Sequence, residues 1–490
     1  MLANRPQRSL LGLLLLLAAL TGRTAAQAVR PNVLFIAIDD LRPELGCYGV
    51  PGAVSPNLDR FASEGVLFTR HYAPVPTCGA SRYALLTGRC PARSGVTESN
   101  EALYQGPAAL LREEQPGAQT LPELFRRSGY RTVCLGKVSH TPDGRVFAYD
   151  GTGDGRAELP HAWEALPTPF GPWQRGWGAF FAYEGGKHRE DGQNHRDLME
   201  FTATRDEALP DGLIAKEAVS QIAVLKRAGQ PFFLATGFYK PHLPFVAPRA
   251  DWDAVGDPDL PSPETRAKPD SAWWPASGEF YGYQPPFTKS RPLPADGQRQ
   301  ARRAYRACVR YVDRQVGNVL DALREQGLAD NTIVVIWGDH GWHLGEQQVW
   351  AKHTPFERGV RSVLMVRAPG FSRAGTRSDA LVETTDLYPT LIDLCRPAFT
   401  RTHHPLDGQS LRPVLAGDPA PLREAAVSWW KNAVSVRTAT HRLITTRVPA
   451  TPERVELYDL SRDPDNMTNI AAREPDLVRR LVRYGRNRAE

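Results

Sequence analysis

The sequence predicts an α/β fold with a central, mostly parallel β-sheet flanked by helices, followed by a smaller C-terminal part with an antiparallel sheet. Four short, nearly continuous apolar runs have the character of strands that are buried on both faces. Stretches with helical periodicity lie between them, and after about residue 397 the pattern changes to short strand-like runs separated by turns. The four buried runs are 32–38, 130–135, 232–237 and 332–337.

The first run leads directly into a pair of carboxylates, Asp39 and Asp40. In open α/β sheets, functional groups gather beyond the carboxyl ends of the strands. Residues 55–65 predict a helix, because proline is tolerated in a first helical turn and glycine favours the end of a helix. Residues 66–71 predict a short strand after that helix.

The next stretch, residues 76–89, predicts a loop that runs into a helix. Pro76 and Gly79 interrupt regular structure, and an apolar run follows from residue 83, so Cys78 lies at or near a helix N-terminus. The dipole there favours negative charge, and Arg82 lies one helical turn further on. This arrangement suits chemistry on an anion, whereas a small buried cysteine beside a surface arginine is the alternative that this stretch alone leaves open.

The remaining elements follow the same alternation of helices and strands. Three buried runs end in polar motifs, namely Gly136-Lys137, Lys240-Pro241-His242 and Gly338-Asp339-His340. Two long stretches, 141–210 and 246–300, are rich in glycine, proline or tryptophan and predict long loops. Further helices are predicted at 121–128, 215–228, 298–325, 385–394 and 474–484, and further strands at 360–366, 427–430, 433–438, 441–446 and 456–460.

Length and charge limit the class of protein. The 490 residues suffice for one large domain and a smaller one, and we predict a catalytic domain at 29–396 and a C-terminal subdomain at 397–490. A formal net charge of +6 is too dilute to indicate nucleic-acid binding. The six cysteines show neither a disulfide framework nor a zinc pattern, so we expect mostly buried thiols.

The N-terminus has the pattern of a secretory signal peptide, predicted at 1–28. Arg5 and Arg8 precede the apolar run 10–20, and the small-residue stretch 25–28 follows. The run is too short to span a membrane, and no other segment has the character of a transmembrane helix. The expected location is therefore an exported one: periplasmic, secreted or a lysosome-like compartment, depending on the source.

Several motifs together resemble those of the type I sulfatases, a family within the alkaline phosphatase superfamily. Cys78-Gly79-Ala80-Ser81-Arg82, followed by Leu86-Thr87-Gly88-Arg89, is similar to the sequence around the nucleophile of that family. The motifs at 39–40, 136–137, 240–242 and 338–341, and Lys352, stand in the family's order. The resemblance runs from about residue 31 to about 460 and implies an alkaline-phosphatase-like fold and sulfate ester hydrolysis, with sulfated carbohydrate as the substrate.

The resemblance also implies roles for individual residues. The cysteine would be converted to formylglycine by a maturation enzyme, and its hydrate would be the nucleophile; Ala80 stands where many members have proline. Clustered carboxylates repel one another unless a cation lies between them, and their oxygens suit Ca²⁺, with Mg²⁺ possible. The implied metal ligands are Asp39, Asp40, Asp339, His340 and an oxygen of modified Cys78; the implied catalytic residues are Cys78, Arg82, Lys137, His140, His242 and Lys352.

Two pieces, residues 38–49 and 339–346, resemble the iduronate-2-sulfatase branch and its bacterial relatives, and His340 stands where many other sulfatases carry asparagine. That branch implies sulfate at position 2 of a uronic acid and a further cation for its carboxylate, from residues 187–189 or from Arg358 or Arg361. Two alternatives stay open: a phosphodiesterase or phosphonate monoester hydrolase of the same superfamily, and a non-catalytic carbohydrate-binding protein if Cys78 is unmodified. The tryptophans at 163, 173 and 177 are expected to pack under a loop rather than stack on a sugar.

Overall fold

The structure is a computed structural model that describes residue 1 and residues 30–271, 277–446 and 454–488. The predicted signal peptide, residues 1–28, lies outside this part of the chain apart from its first residue. Within the described ranges the strands, in chain order, are β1 (Asn32–Ile38), β2 (Val66–Tyr72), β3 (Arg131–Gly136), β4 (Met199–Glu200), β5 (Phe232–Phe238), β6 (Phe245–Val246), β7 (Thr332–Gly338), β8 (His343–Leu344), β9 (Trp350–Ala351), β10 (Arg361–Arg367), β11 (Thr376–Ser378), β12 (Val382–Glu383), β13 (Ala426–Trp430), β14 (Ala433–Arg437), β15 (His441–Thr446) and β16 (Val455–Asp459).

The central sheet has eight strands in the order β11-β2-β10-β7-β1-β5-β3, with β12 also paired to β2. Strands β7, β1, β5 and β3 are parallel neighbours, so their carboxyl ends meet at one edge. Strand β10 is antiparallel to both β2 and β7, which makes the sheet mixed although most of its pairs are parallel. The four predicted buried runs are confirmed as β1, β3, β5 and β7.

Side chains of β1 alternate between two apolar clusters, which shows that both faces of the sheet are covered. Leu34, Ile36 and Ile38 belong to one cluster, and Val33 and Phe35 belong to the other. In chain order the helices are α1 (Pro56–Glu64), α2 (Cys78–Thr87), α3 (Pro91–Ser94), α4 (Leu121–Arg127), α5 (Gly176–Phe180), α6 (Pro210–Ala228), α7 (Arg249–Ala254), α8 (Ala295–Glu325), α9 (Glu357–Val360), α10 (Leu387–Cys395), α11 (Arg412–Leu415) and α12 (Pro475–Asn487).

The two faces carry different helices. Helices α1, α6 and α8 supply Leu58, Ile214 and Val312 to the first cluster. Helices α2, α4 and α10 supply residues such as Leu85 and Leu124 to the second. The result is a three-layer arrangement of helices, sheet and helices, which leaves the strand ends free to build a site.

The C-terminal part contains the predicted antiparallel sheet, with strands in the order β13-β14-β15-β16. Helix α12 packs on it through Leu481, which is buried with Val436 and Leu443. Helix α6 begins at Pro210 rather than at the predicted residue 215, because proline is tolerated in a first helical turn. The long segment 141–210 is mostly loop, as predicted, whereas 246–300 also holds helix α7 and the start of α8.

All six cysteines are free thiols, and only Cys47 is more than slightly exposed. Among the residues that the structure describes, no helix combines the length and the apolar character that a membrane crossing requires.

Candidate active site

Polar side chains converge at the edge where β7, β1, β5 and β3 end. Asp39 and Asp40 follow β1, and Asp339 and His340 follow β7. Lys137 comes directly after β3. Because these strands are parallel neighbours, their carboxyl ends bring together residues that are as much as 300 positions apart, as the pairing of Ile38 with Gly338 illustrates.

Helix α2 places Cys78 at the centre of this edge. The helix begins at Cys78 itself, and all ten of its residues are buried. Gly79 lies so close to the backbone of Asn100 that an added Cβ would be 2.2 Å from the Asn100 Cα, so only glycine fits. The Ser81 hydroxyl donates to the Asp339 carbonyl oxygen at 2.5 Å, which attaches the helix to the end of β7.

Arg82 is fully buried and joins the two strand ends. Its Nη2 lies 3.0 Å from Asp39 Oδ1 and 3.0 Å from Asp339 Oδ2, and its Nη1 donates to the Lys137 carbonyl oxygen. Lys137 Nζ lies 2.7 Å from the other oxygen of Asp39. Burial raises the pKa of Asp39, but Lys137 and Arg82 more than offset it and hold that pKa well below its usual value.

The Cys78 thiol lies among polar groups. Its Sγ is 3.3 Å from His340 Nε2 and 3.4 Å from Lys352 Nζ, and Lys352 Nζ also donates to Asp40 Oδ1 at 2.8 Å. Burial and the charge of Asp39 raise the pKa of Cys78 well above its ordinary value, against the opposing effect of the two lysines. The thiolate is therefore disfavoured, and the unmodified cysteine is a poor nucleophile here.

Four of the five predicted metal ligands form a compact donor set. Atoms of Asp39, Asp40, Cys78 and His340 all lie within 4.8 Å of one another, and all four residues are buried. Asp40 Oδ2 is buried without a hydrogen-bond partner among the described residues. Burial, together with the charge of Asp39, raises the pKa of Asp40 to about 7, although Lys352 opposes the shift. The two carboxylates of this set are hard oxygen ligands, and a buried oxygen without a partner among them fits a divalent cation such as Ca²⁺ if position 78 offers an oxygen in place of its sulfur.

The fifth predicted ligand, Asp339, borders this donor set. Its Oδ2 accepts from Arg82 and lies 3.6 Å from His340 Nε2. Its Oδ1 accepts the backbone N–H groups of Asp40 and His340 at 3.0 and 3.1 Å. Asp339 therefore orders the turn that carries the neighbouring donors.

The two histidines that were predicted to be catalytic, His140 and His242, face the site from different loops. His242 donates through Nδ1 to the Leu243 carbonyl oxygen at 2.6 Å, so Nε2 is directed toward Asp40, 3.9 Å away. His140 is buried with no hydrogen bond to Nδ1 among the described residues, and its ring centroid is 5.6 Å from that of Trp177. Burial, and then the nearby lysines, lower the pKa of both imidazoles. Lys240 instead donates to two carbonyl oxygens of its own loop.

Glu279, which lies against two predicted catalytic residues, escaped the sequence reasoning. Glu279 Oε1 lies 3.1 Å from His242 Nε2, and its Oε2 lies 3.4 Å from Lys352 Nζ. Burial raises the pKa of Glu279, but Lys352 and His242 more than offset it and hold that pKa well below its ordinary value. The residue lies within a proline- and tryptophan-rich loop that carries no motif, so the sequence offered no signal for it.

The site thus combines a buried cysteine, a cluster of side chains that could hold a metal ion, and permanent cations, and such a combination can hydrolyse an anionic ester. The sulfatase family model matches residues 31–396, and a second model, N-sulphoglucosamine sulphohydrolase, C-terminal, matches residues 345–481. The chain belongs to the sulfatase family and is a sulfuric ester hydrolase. The family resemblance and the enzyme class that the sequence predicted are confirmed.

Similar proteins agree with this assignment. Iduronate 2-sulfatase of Mus musculus is 32% identical over 421 residues, which cover 77% of this chain and 70% of the relative. A sulfatase of Formosa agariphila is 30% identical over 463 residues, covering 90% of this chain and 83% of the relative. The solved phosphonate monoester hydrolase of Agrobacterium radiobacter matches with a TM-score of 0.73 and 23% identity over 94% of each chain, which shows the shared fold.

Proposed function

We propose that this chain hydrolyses sulfate esters on sulfated sugars, with formylglycine made from Cys78 as the nucleophile and a divalent cation beside it. The observation that carries the proposal is the position of Cys78. It lies at the start of a buried helix, within one donor set with Asp39, Asp40 and His340, and 3.4 Å from Lys352 Nζ. Position 78 carries the unmodified thiol in this structure, and that thiol is a poor nucleophile for the reasons given above.

The cation would be Ca²⁺, with Mg²⁺ possible, held by Asp39, Asp40, Asp339, His340 and the modified side chain at position 78. When bound, it supplies positive charge that attracts the sulfate group and favours the deprotonated nucleophile. Arg82 and Lys137 hold Asp39 in its charged, ligating form by the contacts described above. By the family resemblance, they are also proposed to hold the formylglycine at position 78.

The reaction itself needs groups that bind sulfate and supply a proton to the leaving alcohol. His242 and Lys352 point toward a common position, because both contact the carboxylate of Glu279. A sulfate group held beside that carboxylate would face the same two side chains, and preorganised positive charge stabilises the charge that develops on its oxygens. His242 and Lys352 are proposed to hold sulfate and protonate the leaving oxygen, and His140 to assist turnover of the formylglycine.

The proposed substrate is a saccharide sulfated at position 2 of a uronic acid. Support comes from the named iduronate 2-sulfatase at 32% identity and from His340, which contacts Cys78 here. A substrate of this kind carries a carboxylate on the same ring as the ester. The pocket must therefore tolerate a second negative charge close to the sulfate.

The test combines a chemical and a kinetic measurement. Mass spectrometry of the peptide that contains Cys78 should detect formylglycine in active protein, and Cys78→Ala should abolish turnover. Matched aryl sulfates and aryl phosphodiesters separate a sulfatase from a phosphodiesterase, and sulfated disaccharides then rank the sugars. Full activity in Cys78→Ala contradicts the mechanism, and faster desulfation of a 6-sulfated hexosamine than of a 2-sulfated uronate contradicts the substrate.

Maturation, export and domain boundaries complete the proposal. Ala80 lies in the first turn of α2, where proline is tolerated. We expect Ala80→Pro to increase the aldehyde content in a host whose maturation enzyme requires proline; an unchanged content contradicts this. We propose cleavage after about residue 28, supported by the sequence pattern there, and domains at 29–396 and 397–490. N-terminal sequencing of exported protein tests the first of these.

A further inference from the structure

An aromatic group lines the approach to the candidate active site. Trp177 lies beside His140, and Phe181 lies beside His242, with ring centroids 5.6 and 6.2 Å apart. Tyr149 packs edge-on against both Trp177 and Phe181, at 4.5 and 5.7 Å. Trp177 therefore lies between His140 and Tyr149, and Phe181 lies between His242 and Tyr149.

Tyr149 differs from its neighbours because it is exposed. It keeps 45% of its surface accessible, whereas Trp177 and Phe181 are buried. Its backbone is held in place, because Arg175 donates to the carbonyl oxygens of Tyr149 and Asp150. Trp177 and Phe181 lie between Tyr149 and the two histidines, which puts the ring at the mouth of the site. A fixed, half-exposed aromatic ring at this position offers a flat apolar surface to a sugar.

Arg189 lies on the outer side of the same group. Its guanidinium carbon is 3.3 Å from the centroid of Phe181 and 5.6 Å from that of Tyr149. Its Nε donates to Glu190 at 2.6 Å and its Nη1 to the Tyr283 hydroxyl at 3.2 Å. Nη2 has no hydrogen bond among the described residues. Stacking and these two bonds fix the plane of the guanidinium. An anion other than the sulfate group can therefore bind there without the entropic cost of ordering a mobile side chain.

Arg189 and the other cations considered from the sequence all have partners, but among the described residues Arg189 is the one of them that stacks on this aromatic group. Lys187 is half exposed and pairs with Glu200 at 3.1 Å. Arg358 pairs with Asp465 at 2.8 Å, and Arg361 donates to the Thr69 carbonyl oxygen. Arg189 is separated from His242 by a single aromatic ring, Phe181, which suits a charge on the same sugar as the sulfate.

We infer that Tyr149 and Arg189 form a saccharide subsite at the rim of the active site, in which Tyr149 packs against the sugar ring and Arg189 binds the ring carboxylate. The inference rests on the proposed function, since it takes the sulfate to lie at His242 and Lys352. It adds the residues that select an acidic sugar. A bound carboxylate pairs with the guanidinium through a charge-assisted hydrogen bond, which is stronger than a neutral one.

The test compares two substrates that differ by one charge: a 2-sulfated uronide and its methyl ester. For wild type, Arg189→Met and the control Lys187→Met, kcat/KM is measured on both, and turnover of a small aryl sulfate normalises for matured enzyme. We expect Arg189→Met to reduce the acid-over-ester preference by about 10- to 100-fold, and Lys187→Met to preserve it. Tyr149→Leu should raise KM for acid and ester alike by about 3- to 10-fold.

Three outcomes contradict the inference. If Arg189→Met lowers kcat/KM equally for the acid and for its methyl ester, Arg189 has only a structural role. A wild type that hydrolyses sulfated sugars without preferring the acid overturns the subsite and leaves the proposed function intact. If matured protein hydrolyses no sulfate ester, the proposed function fails and kinetics cannot test the subsite. Equilibrium binding of the same two saccharides then tests it. A preference for binding the acid that survives Arg189→Met refutes the subsite.

Discussion

Arg82→Met is the most informative single change, because it removes one buried cation and keeps most of the side-chain volume. Arg82 contributes both Nε and Nη2 to Asp339 Oδ2, at 3.2 and 3.0 Å, and one contact to Asp39. Asp39 keeps Lys137 at 2.7 Å after the change. Within the described part of the chain, Asp339 keeps two backbone N–H donors and the more distant His340 ring, so it carries most of the loss.

The magnitude follows from that geometry. Removing one partner of a buried ion pair costs about 3–5 kcal/mol, because a charge is left in the interior without compensation. The unfolding entropy of a chain of 490 residues is about 1 kcal/mol per kelvin, so the melting temperature should fall by about 3–5 °C. An exposed pair is worth far less: Arg60 and Asp321 are each nearly half exposed, and Arg60→Met should shift the melting temperature by less than about 1 °C.

Scanning calorimetry at a fixed scan rate and fixed calcium concentration measures both variants. Activity on an aryl sulfate should fall in Arg82→Met and persist in Arg60→Met. The stability deficit of Arg82→Met should also narrow as calcium rises, since a cation can take over part of the compensation of Asp39 and Asp339. A shift in Arg82→Met no larger than that of Arg60→Met would refute the reasoning.

Three further predictions concern charge and metal. Burial opposes the ionisation of Glu44, but Arg42, Arg302 and Arg306 hold its pKa at about 2; Glu44→Gln should therefore cost about 3 kcal/mol at pH 7. That difference should shrink as pH falls from about 4.5 to about 2, measured by denaturant unfolding, and a constant difference would count against it. Exhaustive chelation should lower both the melting temperature and activity, and full activity in metal-free protein contradicts the cation site. Glu279→Gln should lower KM for sulfate esters and the inhibition constant of inorganic sulfate, because two anions about 4 Å apart repel by about 4 kcal/mol; a higher KM means that Glu279 positions His242 and Lys352 instead.

The central strands and the polar residues at their ends could be predicted from the sequence, because burial on both faces of a sheet constrains each residue of a strand. Strands buried on both faces must be apolar throughout, so β1, β3, β5 and β7 could be read from composition alone. The polar residues that follow them had to meet once those strands were parallel neighbours, which is why Asp40 and Asp339 lie 3.0 Å apart, backbone nitrogen to carboxylate oxygen. The antiparallel direction of β10 could not be predicted, because the composition of an apolar run does not distinguish a parallel strand from an antiparallel one.

The residues that escaped prediction lie on long loops. Glu279 and Tyr149 come from segments whose paths depend on tertiary packing rather than on periodicity. Arg189 was among the candidates at 187–189, but the sequence could not choose it over Arg358 and Arg361. A glutamate in a proline-rich loop and a tyrosine in a glycine-rich one are ordinary in isolation, and only the fold brings them to one cleft. The predicted packing role of Trp173 and Trp177 could be anticipated because large rings under a loop bury more area than a sugar face offers; both are buried.

The charge balance of the site supports the proposed combination of a divalent cation and an anionic ester. Burial lowers the pKa of both His140 and His242, although the contact with Glu279 opposes the shift at His242. Apart from the histidines, four carboxyl groups face three permanent cations, so their full ionisation would leave one uncompensated negative charge, and Asp40, with its pKa raised to about 7, is the group that resists it. A bound divalent cation would allow all four to ionise and would reverse the balance to +1, which suits one sulfate monoester. The four carboxylates are Asp39, Asp40, Glu279 and Asp339, and the three cations are Arg82, Lys137 and Lys352.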